Sequence, residues 1–180
     1  MVLTEGTVEK DFCYHLELDP LVKKYQCQPL GYYYYLNGER RSYTPDFEVD
    51  IDGGVNTYYE VKELEFLEDD YDFQIEFAAQ QKQAKILGKQ LILVCDDVIR
   101  QQPKLSNMMK VYGAKRRGRP SDVFVNSVIK ILAELEPITA EELMAKTQMT
   151  IGQIYQLIYY NVLLADFDNS FGPEMLLWRI

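Results

Sequence analysis

A turn at Asp52-Gly53-Gly54 separates two stretches of strand-like sequence, Arg41–Val49 and Thr57–Lys62. A hairpin centred on Gly53 fixes its own register: paired residue numbers total 106, and Asp46 falls opposite Glu60. Side chains alternate along a strand, so Glu60 and Lys62 share a face. Directly opposed residues have Cβ atoms ~4.5–5.5 Å apart, which predicts a cluster of Asp46, Glu60 and Lys62. Two carboxylates at that distance repel unless a positive charge lies between them. Either these are ordinary exposed hairpin positions, with Glu60 and Lys62 forming a surface ion pair worth ~0–1 kcal/mol, or they converge on a cation. Mg²⁺ suits such a set, being hard, oxygen-seeking and usually held by one or two carboxylates plus waters and substrate phosphate. A third carboxylate, Glu9 in the first predicted helix, would complete the shell; Glu5 is its nearby rival.

The surrounding pattern is mixed α/β. Thr4–Leu18 reads as a helix with Val8, Phe12 and Leu16 at helical spacing, ended by Asp19-Pro20. Tyr25–Leu36 is aromatic and strand-like, and Asn37-Gly38 is a hairpin turn signal that returns the chain through Arg41–Val49. A long helix is predicted over Asp70–Leu87, with the charges of Glu68-Asp69-Asp70 at its start and Gly88 capping its end. Leu91–Val94 is a continuous apolar run, as for a strand covered on both faces. A shorter helix follows over Lys104–Tyr112. After Ser121, helices are predicted over Asp122–Leu135, from Thr139 onward with capping-box spacing, and from Thr150 to about Tyr160. A hairpin of Leu163–Asp168 and Met175–Ile180 closes the chain. Three helices and a hairpin in this order form the winged-helix arrangement.

These elements divide into residues 1–114, a linker over 115–120, and residues 121–180. The formal net charge is −9, which argues against generic nucleic-acid binding, but the charge is unevenly placed. Residues 115–120 carry four Lys/Arg and no acid, whereas residues 121–180 hold three basic and eight acidic residues. Three cysteines without CxxC spacing make a disulfide framework or a zinc site improbable and fit a reducing cytoplasm. No apolar run approaches the ~20 residues that span a bilayer, and no secretion signal is expected at the N-terminus.

The ordered set Val8-Glu9, "LELDPLVKKYQCQP" (Leu16–Pro29), "RSYTPDFEV" (Arg41–Val49), "YYEVK" (Tyr58–Lys62) and "GKQLILVCDDVIR" (Gly88–Arg100) resembles the PD-(D/E)xK nuclease superfamily. More narrowly, it resembles the TnsA-type transposon endonucleases. The resemblance covers most of residues 5–112. It implies a restriction-endonuclease-like mixed sheet flanked by helices, and Mg²⁺-dependent cleavage, with Mn²⁺ able to substitute. The strand cut would be the non-transferred (5′) strand at transposon ends. It implies three partners: double-stranded DNA, a transposase of the TnsB type making the other cut, and an ATP-dependent regulator of the TnsC type. By position, Glu9, Asp46 and Glu60 would bind metal and Lys62 would be the catalytic lysine. Gly6-Thr7-Val8-Glu9 departs from the family pattern, lacking the expected serine and leucine. Gln28 falls near the site or serves as a structural amide. Gln80, Gln81 and Lys85 either face DNA or form a solvated helix face.

Arg117-Gly118-Arg119-Pro120, flanked by Lys115 and Arg116, resembles the AT-hook, in which an extended Arg-Gly-Arg core enters the narrow minor groove. A solvated linker is the competing reading. The third helix of the last domain offers Thr150, Gln153, Gln156, Tyr159 and Asn161 but no Lys or Arg, so this domain is expected to dock a protein. Tyr155, Leu157, Ile158 and Trp178 are expected in the core, His15 is expected to be structural, and Asp166 and Asp168 are expected to face solvent. Two other functional readings remain open: a restriction-like or junction-resolving nuclease acting alone, or a non-catalytic DNA-binding adaptor.

Overall fold

A computed structural model describes residues 6–67 and 71–180. Thr4, Glu5 and the Glu68-Asp69-Asp70 run lie outside the described residues. The chain divides into two compact units, Met1–Arg100 and Gln101–Ile180.

In the first unit, helix α1 (Thr7–Leu18) leads into strand β1 (Val22–Cys27), followed by β2 (Tyr32–Leu36), β3 (Glu39–Tyr43), β4 (Phe47–Ile51) and β5 (Thr57–Lys62). A 3-10 turn over Leu64–Phe66 precedes α2 (Tyr71–Ile86), and β6 (Gln90–Cys95) and the short α3 (Asp96–Ile99) complete the unit. The main sheet has the order β1-β4-β5-β6. Its first three strands pair antiparallel, whereas β6 runs parallel to β5. That parallel pair needs the long crossover that α2 supplies. Gly88, at φ +75°, ends the crossover, and the Lys89 N–H closes on the Ala84 carbonyl at 2.9 Å.

The single long strand expected over Tyr25–Leu36 is two strands. The chain breaks at Gln28–Gly31, and β2 pairs only with β3 in a separate two-stranded sheet. The Leu91–Val94 run differs too. It forms the sheet's edge, with Leu91 buried, Ile92 exposed and Leu93 and Val94 half-buried, rather than a strand covered on both faces.

Alternation along the strands sorts the two faces. Phe47, Val49 and Val61 pack under α1 against Val8, Phe12, Cys13 and Leu16. Tyr58 faces the opposite way, into a cluster with Leu91, Phe77 and Ala84 of α2 and Tyr32 of the β2–β3 hairpin. The sheet is therefore flanked by helices, with the hairpin sharing the α2 side.

The second unit contains α4 (Lys104–Gly113), a 3-10 turn over Ala114–Arg117, α5 (Asp122–Leu135), β7 (Ile138–Thr139), α6 (Ala140–Thr147), α7 (Ile151–Tyr159), β8 (Leu163–Ala165) and β9 (Leu176–Arg179). Thr139 and Glu142 form the expected capping box at α6. The closing hairpin gains β7 as a third strand, in the order β7-β9-β8. The boundary between compact units falls at Arg100/Gln101, not after residue 114, so α4 belongs with the C-terminal unit. Within that unit Asn107 is buried and ties α4 to the last turn, donating to the Phe167 and Asn169 carbonyls at 3.0 and 2.8 Å.

Residues 115–120 are not an extended linker. Lys115, Arg116 and Arg117 lie in the 3-10 turn, and Gly118 turns the chain at φ +75°. The Gly118 carbonyl accepts from Gln156 Nε2 at 2.7 Å, which holds the segment against α7. An AT-hook core needs that backbone extended and free; here a long-range hydrogen bond folds it back. Leu157 and Ile158 are buried, as expected, whereas Tyr155 is half-buried and stacks on Phe171. Trp178 differs from expectation: it pairs with Leu164 on the sheet face opposite buried Leu163 and Leu177, and is only half-buried. Asp166 and Asp168 are exposed but lie beyond the end of β8, in the turn.

Candidate active site

The β4–β5 register is the expected one: Phe47 pairs with Tyr59, Glu48 with Tyr58 and Val49 with Thr57, so paired numbers total 106. Asp46 precedes β4, with its main chain and its side chain both engaged. Its carbonyl accepts from the Gln28 N–H at 2.8 Å and its Oδ2 accepts from the Val61 N–H at 2.7 Å. The carboxylate is thus pinned between the two ionic residues of β5.

Glu60 is only 6% exposed. Burying a carboxylate is costly unless its oxygens are paired, and both are. Lys62 Nζ lies 2.8 Å from Oε1, and the Tyr43 hydroxyl donates to Oε2 at 2.6 Å. Charge is unevenly balanced around this pair. Asp46 is pushed up to about 6, first by burial and then by the charge of Glu60, with Glu9 adding to the effect and the Val61 N–H and Lys62 opposing it. For Lys62, burial acts downward but is outweighed by Glu60, Asp46 and Glu9, and the ammonium is held above its usual value. One lysine therefore faces three acids, and the excess negative charge suits a small hard cation. The donors are all oxygens, which fit Mg²⁺ or Mn²⁺ and not a soft-metal site.

Glu9 approaches from α1, on the other face of the sheet. Its charge reaches Asp46, Lys62 and the Cys27 thiol, which burial pushes up to about 12. Yet among the described residues no three His, Cys, Asp or Glu side chains draw together as a ready metal-binding group. The structure brings Asp46, Glu60 and Lys62 together, with Glu9 at the margin.

Gln28 lies beside the site through its backbone bond to Asp46, but its residue is exposed, so it is not a buried amide. Gln80 is buried, whereas Gln81 and Lys85 are exposed, with the Gln81 amide donating to the Leu91 carbonyl at 2.9 Å. His15 Nε2 donates to the Ile99 carbonyl at 2.9 Å and the ring stacks on Phe12, a structural role. On α7, Gln156 is buried and committed to Gly118, and Gln153 Oε1 accepts from the Thr150 N–H at 2.8 Å. The Gln156 amide is therefore not free to read bases. Tyr43 was not singled out by sequence reasoning, although it opens the YTPDF stretch.

Among the described residues no helix is long and apolar enough to cross a membrane. Comparison with curated proteins found no match. A family model described as "TnsA-like endonuclease N terminal" matches residues 19–96, a span that includes Asp46, Glu60 and Lys62 and leaves out Glu9. Over residues 19–96 the chain is therefore similar to a TnsA-like endonuclease N-terminal domain.

Proposed function

We propose that the chain is a Mg²⁺-dependent DNA endonuclease that cuts the non-transferred (5′) strand at transposon ends, within a heteromeric transposase. The observation that carries this reading is the Asp46 carboxylate held on the Val61 N–H next to Glu60, with Lys62 on Glu60 and more negative than positive charge around them. Asp46 and Glu60 would hold the metal, with Glu9 as a third carboxylate and Mn²⁺ able to substitute. When bound, the ion supplies Lewis acidity toward the scissile phosphate and lowers the pKa of water. Asp46 is oriented for this by the Val61 N–H, and Glu60 by its two partners. Lys62 is half-exposed, which lets its ammonium reach outward and offset charge on a phosphorane-like transition state.

The C-terminal unit is proposed to be a winged-helix domain that docks a protein of the transposition machinery, a TnsB-type transposase or a TnsC-type regulator. Helix α7 carries no Lys or Arg, and Leu164, Leu176 and Trp178 form an outward-facing apolar stripe on the sheet. Lys115, Arg116, Arg117 and Arg119 are all exposed and are proposed to contact DNA phosphates rather than to insert into a minor groove.

Calorimetric titration of Mg²⁺ or Mn²⁺ into the wild type and Asp46→Ala, beside a cleavage assay on transposon-end DNA, tests the reading. Binding that disappears in the variant, with cleavage that needs a transposase partner, is the expected result. Cleavage by the purified chain alone would indicate a stand-alone nuclease. Absence of metal binding would leave a non-catalytic DNA-binding adaptor.

A further inference from the structure

Glu60 has two oxygens and two partners of different kinds. Lys62 is a flexible chain, half-exposed, on the same strand. Tyr43 is a ring on a different element, β3, with its hydroxyl 2.6 Å from Oε2. Its ring packs edge-on against Tyr32 at 5.3 Å between centroids, and Tyr32 in turn stacks on Tyr58 at 5.6 Å. The Tyr32 hydroxyl donates to the Gln80 carbonyl of α2 at 3.0 Å. Tyr34 and Arg41 both reach Glu76 of the same helix. At the root of the hairpin, a Cβ on Gly31 would collide with the Tyr43 carbonyl, so the close approach that sets Tyr43 requires glycine there.

A carboxylate on a rotatable side chain can present either oxygen in many directions, whereas Mg²⁺ demands near-octahedral geometry. Partners that fix a ligand's orientation typically change metal affinity when they are removed. We infer that Tyr43 is a positioning residue for metal binding: it holds Glu60 at one rotation, and the β2–β3 hairpin and α2 hold Tyr43. This rests on the reading of Asp46 and Glu60 as metal ligands. A tyrosine that only filled space would be packed here without its hydroxyl directed at the carboxylate. The lysine does not duplicate the role, because it is flexible and belongs to the reacting groups.

The test is Mn²⁺ calorimetry on the full chain, comparing wild type, Tyr43→Phe, Tyr32→Phe and Glu60→Gln, with melting temperatures measured in parallel. Tyr43→Phe keeps the ring and removes only the hydroxyl; its Kd is expected to rise about tenfold or more. Glu60→Gln is expected to lose binding. Tyr32→Phe removes a hydroxyl from the same cluster without touching Glu60; its melting temperature is expected to fall with Kd unchanged. Equal Kd values for wild type and Tyr43→Phe would overturn the positioning role and leave the metal site standing. A Tyr32→Phe shift as large as that of Tyr43→Phe would also overturn it, since the effect would then be general loosening. A wild type that binds no Mn²⁺ would overturn the metal-site reading and the inference together.

Discussion

The Asp46 carboxylate accepts the backbone N–H of Val61 at 2.7 Å, so the end of one strand is locked to the residue between Glu60 and Lys62 on its neighbour. The bond joins two sequence segments that a five-residue connection, Asp52–Asn56, holds in register. It holds an acid near a buried acid that is itself ion-paired to Lys62. Burial and the charge of Glu60 disfavour the ionised Asp46, and that cost can be measured.

The folded pKa of Asp46 is raised to about 6, above the ~3.9 of an unfolded aspartate. An acid with a raised folded pKa destabilises the fold in its ionised form. The penalty is fully present above about pH 6, shrinks as pH falls through the folded value, and is gone below the unfolded one. In EDTA at pH 8, Asp46→Asn is therefore expected to be more stable than wild type by about 1 kcal/mol, after discounting for solvent screening. The gain should vanish by about pH 4. Mg²⁺ should raise the melting temperature of the wild type and not of the variant. Thermal melts across pH, with and without metal, check both statements.

On the proposed metal-site reading, protons and metal compete for the same carboxylate. Mn²⁺ affinity is expected to hold at neutral pH and to weaken as pH drops through about 6, where Asp46 takes up its proton. Titrations from pH 8 to 5 would show it; a flat affinity would mean that Asp46 is not a ligand.

Lys62→Met removes the ammonium 2.8 Å from Glu60. Cleavage in the presence of the transposase partner is expected to fall by about 100-fold or more, the scale for losing one preorganised charge at a transition state. Mn²⁺ binding should persist, because the oxygens remain and a competing cation is gone. Loss of metal binding together with cleavage would make Lys62 structural instead.

Arg117→Ala with Arg119→Ala is expected to weaken DNA binding and to flatten the plot of log affinity against log salt by up to two phosphate contacts. An unchanged slope would remove the cationic turn from the DNA interface.

Asn107 is only 1% exposed, and its Nδ2 serves two carbonyls of the final turn. Asn107→Ala leaves both without that donor and is expected to destabilise the C-terminal unit by about 2–3 kcal/mol. Thermal melts and hydrogen exchange over residues 166–171 would register the loss, while metal binding by the first unit stays as in wild type.

What the sequence made legible, and what it did not, follows from the range of the interactions involved. The Asp46–Glu60 register was readable because a tight turn at Gly53 and strand alternation are both local. The helix ends at Gly88 and Thr139 were readable for the same reason. The break at Gln28–Gly31 had a local signal in Pro29 and Gly31, which a reading of Tyr25–Leu36 by its aromatic content alone passes over. What divides it is the approach of Gly31 to the Tyr43 carbonyl, a contact between residues far apart in sequence. Residues 115–120 read as a linker because nothing nearby shows that Gln156 will hold Gly118. Trp178 reads as a core residue in the sequence, but strand parity with Leu164 sends it to the opposite face.

The β2–β3 hairpin has an immobilised root and an open tip. Its root carries Tyr43, whereas a Cβ on Gly38 at the turn would meet nothing within 4 Å. Length can therefore change at Asn37-Gly38 without disturbing the end that touches Glu60. A protein engineer would find there a port for a fluorophore or an affinity loop, and evolution would find a part whose reach is adjustable independently of the chemistry beneath it.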